Sequence, residues 1–305
     1  MQKFLAIFFL AAAPLIWTAA LGGALYGLEP FISWLYFFAW WPLILFLEGL
    51  FFLKQGEFWL LSRPRDFLKM GFWSVTVWLV FEAANLVLKN WAYVNLLPYW
   101  WRRWPGYVLA FATVLPGMLL TARVLAAWGA WQGASGRGRG WASWQPLFLL
   151  LGAACLILPL IFPLYSFPLV WGALFFLLDP INDLLGGKSL TRRWLAGERR
   201  DIYCLLTAGL ICGLWWEMWN YPAATKWVYT LPVLNCGKIF EMPVLGYLGF
   251  LPFALEGAVM YNFFKVLEEK VLVTSGQRRW FWVGQLAFWV VMFAAMDAWT
   301  AISFQ

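Results

Sequence analysis

The sequence predicts an all-α polytopic membrane protein of about nine transmembrane helices, built as two parallel four-helix repeats plus a C-terminal helix. Three observations predict it. Only 12% of the residues are charged, against about 25% in a soluble domain, while 63% are apolar and 21% aromatic; the mean hydropathy is +0.71. The apolar residues gather into runs of about 20, the length that crosses the hydrocarbon of a bilayer. Charged and aromatic residues also recur at a constant offset between the two halves of the chain.

In chain order, residues 4–26 form an uninterrupted apolar run after Lys3, longer than the core of a cleaved signal and so read as the first span. The second span, 31–53, carries Glu48; a basic loop with Lys54, Arg63, Arg65 and Lys69 follows, and the third span, 71–88, ends in Glu82 and Asn85. Residues 89–105 mix aromatic and basic side chains, ending YWWRRWP, which suits an interfacial loop or short surface helix. Spans are then expected at 106–127, 146–163, 167–183, 202–219, 239–266 and 280–302, with the Gly/Arg-rich QGASGRGRG as a flexible connector. This divides the chain into a first repeat (1–131), a connector (132–145), a second repeat (146–266) and a loop with the last helix (267–305).

Positive charge collects on the cytoplasmic side of membrane proteins. An internal N-terminus places the basic loops near 54–69, 123–139, 188–200 and 265–279 all inside, with 221–238 and the C-terminus outside; Arg102 and Arg103 break the pattern. A bacterial cytoplasmic membrane is the expected location. The 25 Trp and 11 Tyr fit aromatic belts at two interfaces.

The duplication rests on residues that composition does not explain. Trp59/Trp194, Arg65/Arg200, Asp66/Asp201, Glu82/Glu217, Asn85/Asn220 and Glu48/Asp183 are each 135 apart, and Trp91-x-Tyr93 corresponds to Trp227-x-Tyr229 one residue later. Four spans separate equivalent positions, so the repeats run in the same direction through the bilayer. The Arg-Asp pairs at the starts of spans three and seven read as helix caps. Glu241 and Glu256 have no first-half counterpart, which makes the second half the expected working half.

An ionisable side chain in hydrocarbon must face protein, water or ligand, so Glu217, Glu241, Glu256 and Asn220 are the candidate catalytic residues. Glu217 and Asn220 share a helix face. Met242, Gly246, Gly249, Phe253, Glu256 and Met260 fall on one helical stripe whose glycines admit close approach. Trp216, Trp219, Trp227, Tyr229, Phe250 and, from the first half, Glu82, Asn85, Trp91 and Tyr93 complete the candidate binding set. A small-residue helix contact closed by a carboxylate hydrogen bond accounts for the stripe equally well.

The chain contains no histidine, which removes the usual haem ligand, zinc ligand and general base. The four cysteines form no C-x-x-C pair. No cofactor, no metal and no nucleic-acid partner is therefore expected; the partners are membrane lipid and a hydrophobic isoprenoid ligand, with oligomeric state open.

The set Trp216, Glu217, Asn220, Trp227, Tyr229, Gly249, Pro252 and Glu256, with Glu82, Asn85, Trp91 and Tyr93, resembles the integral-membrane lycopene cyclase domain, which occurs as two homologous halves. That family places paired acids almost directly after the proline, whereas Pro252 here is followed by the single Glu256. The resemblance implies redox-neutral cyclisation of an isoprenoid end group, with Glu217 or Glu256 as acid, Glu241 as its partner and Trp216, Trp219, Trp227 and Phe250 facing a cation. Two other classes fit the residues: a small-solute or ion transporter or channel, and a structural partner of a membrane complex.

Overall fold

The computed structural model describes residues 1–138, 140, 143–233 and 235–305; Arg139, Trp141 and Ala142 of the predicted connector lie outside them, as does Leu234. Among the described residues, nine helical segments are long and apolar enough to cross a membrane. The first three are α1 (Gln2–Leu25), α2 (Phe31–Gln55) and α3 (Pro64–Leu88); α4 (Trp100–Phe111) and α5 (Val114–Ala127) make one broken crossing. In the second half come α6 (Trp144–Ile161), then α7 (Pro163–Ser166) joined by a turn to α8 (Val170–Leu184), the short α9 (Leu190–Leu195) and α10 (Arg200–Asn220). A tight turn at Val244–Gly249 leads into α11 (Phe250–Val266), and α12 (Ser275–Trp299) is last.

Each half packs by the same rule. In the first, α1 lies on α2, and α2 and α3 both lie on α5; in the second, α6 lies on α8, and α8 and α10 both lie on α11. The halves then exchange contacts, α10 against α5 and α3 against α11, while α12 packs on α3 outside the pattern. Close approach is built in at matching places. The break at Ala112–Thr113 frees the Phe111 carbonyl, which accepts from Ser74 Oγ (2.5 Å), and the Leu115 N–H, which donates to Ser74 Oγ (2.9 Å). The residue 135 positions after Ser74 is Gly209, where a Cβ would lie 2.2 Å from the Phe250 carbonyl oxygen.

The repeats meet in a strand pair where the sequence predicts an interfacial loop or short surface helix (89–105) and an external loop (221–238). Strands β1 (Trp91–Val94) and β2 (Lys226–Tyr229) are antiparallel, with Trp91 opposite Tyr229, Ala92 opposite Val228 and Tyr93 opposite Trp227. Because Ala92 and Val228 are repeat-equivalent, a local two-fold axis passes between them. The C-terminal tail adds a parallel edge: Tyr93 N–H donates to the Thr300 carbonyl, and Ile302 N–H to the Tyr93 carbonyl. Hence the last helix ends at Trp299, short of the expected 302, because the chain there is recruited to β1. A second small pair, β3 (Lys238–Ile239) with β4 (Met242–Pro243), replaces the expected start of span eight.

Other boundaries shift for local reasons. Helix α3 begins at Pro64, not 71, because proline at the first helical position carries no N–H to leave unpaired. The predicted stripe is correspondingly shorter: Met242 is in a strand, Gly246 and Gly249 are in the turn, and Phe253, Glu256 and Met260 are in α11. Asp66 and Asp201 do lie in first turns, but no side-chain cap bond forms; Asp201 instead binds Arg193 (2.8 Å) and Arg200 binds the carbonyls of Ala126 and Ala130. Arg103, misplaced by the charge rule, is neutralised by Asp297 of α12, which also accepts from Trp104 (2.8 Å) and Tyr107 (3.0 Å).

Candidate functional site

The strand pair is held from below by the repeated Glu-x-x-Asn of α3 and α10. Asn85 Nδ2 donates to the Trp91 carbonyl (2.8 Å) and its Oδ1 accepts from the N–H groups of Asn90 (2.8 Å) and Trp91 (3.2 Å). Asn220 does the same in the second half, donating to the Trp227 carbonyl (2.9 Å) and accepting from its N–H (3.1 Å). Both asparagines are buried, so these bonds satisfy backbone groups that no water reaches. The position makes this possible: an amide in the last turn of its helix reaches over the chain reversal that follows.

The acids play parallel parts. Glu82 Oε1 accepts from Tyr93 OH (2.5 Å) and Trp91 Nε1 (3.0 Å); Glu217 Oε1 accepts from Tyr229 OH (2.6 Å), to which Trp227 Nε1 in turn donates (3.1 Å). Burial first, and then the Glu82 carboxylate, push the Tyr93 phenol well above the usual tyrosine range; burial and Glu217 do so for Tyr229. Both phenols are therefore fixed as donors. The second oxygen of each acid, Oε2, is buried and has no hydrogen-bond partner among the described residues, and the same holds for Oε2 of Glu256.

Glu217, Glu241 and Glu256 each have a separate partner. Glu256 Oε1 accepts from the Leu174 N–H of α8 (2.8 Å), and Glu241 pairs with Lys226 (2.5 Å) in the loop region. The corresponding acid Glu48 clamps the N–H groups of Trp59 (2.9 Å) and Leu60 (2.6 Å). Its structural counterpart is Asp179, which holds Leu190 (2.8 Å) and Thr191 (2.9 Å) at the same separations along the chain. Asp183, the residue matched to Glu48 by offset, binds Arg192 and Gln145.

Above Glu82 and Glu217 two cavities flank the strand pair, and Trp78, Tyr93, Trp216 and Trp227 border both. The first encloses about 80 Å³. It gathers Trp91, Tyr93, Trp216, Trp227 and Tyr229 of the predicted set with Gly246, Gly249, Phe250 and Phe253. Glu82, Asn85, Glu217, Asn220, Trp219 and the other two acids lie outside its lining. Trp219 turns instead toward Trp215 and Trp17 of α1, with ring centroids 6.1 and 6.3 Å away. The wall is mostly aromatic: Trp216 meets Trp78 at 5.0 Å, and Phe253 stands edge-on to Trp171 at 5.7 Å and Phe81 at 5.2 Å.

The chain matches no family model, no curated protein and no solved structure. Its site is therefore read from geometry.

Five lining residues had no signal in spacing alone: Trp78, Asn90, Phe167, Trp171 and Leu231. Asn90 is 2% exposed and its Oδ1 has no partner among the described residues. It stands directly before Trp91-x-Tyr93, and the repeat register puts Lys226 at the equivalent place, where it borders the second cavity together with Arg103. Those two cations are held by Glu241 and Asp297. The first cavity is thus the neutral one of the pair. It draws on both halves, since Trp78, Asn90, Trp91 and Tyr93 come from the first.

Proposed function

We propose that this integral membrane protein binds one end of an apolar lipid of isoprenoid type in the first cavity, between the two repeats. The supporting observation is the convergence of Trp78, Trp216 and Phe253 on a void that holds one neutral, unpartnered amide oxygen, Asn90 Oδ1. Aromatic walls favour an unsaturated chain, and a buried acceptor favours a ligand bearing one hydroxyl or N–H donor, because leaving the acceptor bare costs about 1–3 kcal/mol. Cyclisation, the chemistry that the lycopene cyclase resemblance implies, has its closest second-half acid in Glu217, one hydrogen bond behind the cavity residue Tyr229.

Lipid co-purifying with the protein in detergent, identified by mass spectrometry, tests the binding. Gly249→Leu is the informative variant, since a Cβ there meets Trp171 only at 3.5 Å and the remaining atoms extend into the void. The reading expects the lipid to be lost while the helical signal and melting temperature stay near wild type. Retention of the same lipid at the same stoichiometry contradicts it. Conversion of an acyclic isoprenoid in a producing host, lost in Tyr229→Phe and Glu217→Gln but not in Glu241→Gln, is the corresponding test of chemistry.

A further inference from the structure

At the opposite ends of α3 and α10 from the strand pair, a cavity of about 660 Å³ opens between the two halves. It is roomy enough for a small-molecule ligand. Six Lys and Arg side chains line it against three carboxylates, Glu57, Asp66 and Asp201. Two of the cations are already engaged, Arg193 by Glu198 and Asp201, and Arg200 by the carbonyls of Ala126 and Ala130. Arg63, Arg123, Lys188 and Lys265 make no ion pair and no side-chain hydrogen bond among the described residues.

The charge rule for loops accounts for cations near this end of the molecule, but not for the way Arg123 is held. Arg123 lies within α5, its guanidinium 4.1 Å from the centre of the Trp59 ring. Stacking fixes the plane of the fork and leaves its N–H edges free to donate. Trp59 is itself set by the fully buried Glu48, which holds the Trp59 and Leu60 N–H groups; on the other wall the equally buried Asp179 holds Leu190. Both repeats therefore use an intramembrane acid to fix a loop that borders the same cleft. A rigid guanidinium surrounded by unpaired cations is the arrangement that recognises phosphate oxygens.

We propose that this cleft binds a phosphorylated ligand, its phosphate held by Arg63, Arg123, Lys188 and Lys265. The site shares no lining residue with the aromatic cavity and stands independently of the lipid reading. The phosphate comes either from a soluble molecule or from a phospholipid headgroup, and two arms of one experiment separate them. Full-length protein in phosphatidylcholine nanodiscs is titrated calorimetrically with inorganic diphosphate, and the free protein's uptake of phosphatidic acid into mixed nanodiscs is measured by mass spectrometry against phosphatidylcholine.

Saturable binding in either arm is expected. Arg123→Ala and Arg63→Ala should each weaken it about tenfold or more, as loss of a charge-assisted contact does. Arg123→Lys should recover only part of the loss, because a point charge replaces the fork. Arg102→Ala, a cation near the strand pair and outside this cleft, serves as control and should bind as wild type. Arg63 precedes α3 and its side chain makes no capping hydrogen bond to the helix, so its variant keeps the test decisive if Arg123→Ala does not fold. Absence of saturable binding in both arms overturns the proposal, as does binding that Arg63→Ala and Arg123→Ala leave unchanged or that Arg102→Ala reduces equally.

Discussion

Two glycines illustrate how differently one residue type is used in this bundle. A methyl group at Gly209 would sit 2.2 Å from the backbone oxygen of Phe250, which no rotamer change relieves. Gly209→Ala should therefore destabilise by about 1–3 kcal/mol through overpacking, seen as an earlier transition in detergent denaturation; wild-type stability would show that α10 and α11 are not in contact there. Gly22 in α1 has open space around it, and Gly22→Ala should be neutral or stabilise by up to about 1 kcal/mol. The buried phenols carry a pH signature. With its folded pKa raised above the unfolded value of about 10, each of Tyr93 and Tyr229 contributes stability that is present below that value and lost as pH rises. The alkaline limb of a stability profile should flatten in Tyr93→Phe with Tyr229→Phe; an unchanged limb would place both phenols in contact with water.

At the scale of elements, the spans were legible because hydrocarbon forces every backbone group into a helix and every helix to a similar length. The Glu-x-x-Asn and Trp-x-Tyr offsets were equally legible, since such residues are too costly in a membrane to recur by chance. What those offsets were for was not. Asn85 and Asn220 serve β1 and β2, and four residues between apolar runs give no strand period to read. Position 92 is directly opposite position 228, and this is a hydrogen-bonded pair, since Thr230 N–H donates to the Asn90 carbonyl two residues away. Such pairs have Cα atoms about 5.5 Å apart, within disulfide reach. Ala92→Cys with Val228→Cys should cross-link on mild oxidation and slow migration no further than a monomer; Ala92→Cys with Cys236 kept and Val228 intact should not. Failure of the first pair to cross-link would remove the symmetric junction.

Across the whole molecule, pseudo-symmetry explains why buried acids that look like one catalytic cluster in the sequence are distributed. Glu82 and Glu217 brace one end, Glu48 and Asp179 brace the other, and Glu256 ties α11 to α8. Spacing along a chain reports which acids are tolerated, but not which neighbour takes up each lone pair, so the predicted convergence of Glu217, Glu241 and Glu256 was not recoverable from it. Trp91, Tyr93, Trp227 and Tyr229 are marked in the sequence by the recurring Trp-x-Tyr, whereas Trp78 and Trp171 border the same cavity and carry no such mark. If each of the nine candidate spans among the described residues crosses the membrane, the termini lie on opposite sides, with the C-terminal tail beside the strand pair. With the exposed Cys236 replaced by serine, a cysteine introduced at Gln305 should react with an impermeant maleimide added on the face away from the basic loops and one at Gln2 should not. The most direct test of the account is a cryo-EM map of the protein in lipid nanodiscs. Elongated density is expected in the cavity that Trp78, Trp171, Trp216 and Phe253 border, with one end at Asn90; a map in which that cavity and the space beside Asn90 are filled by side chains would contradict it.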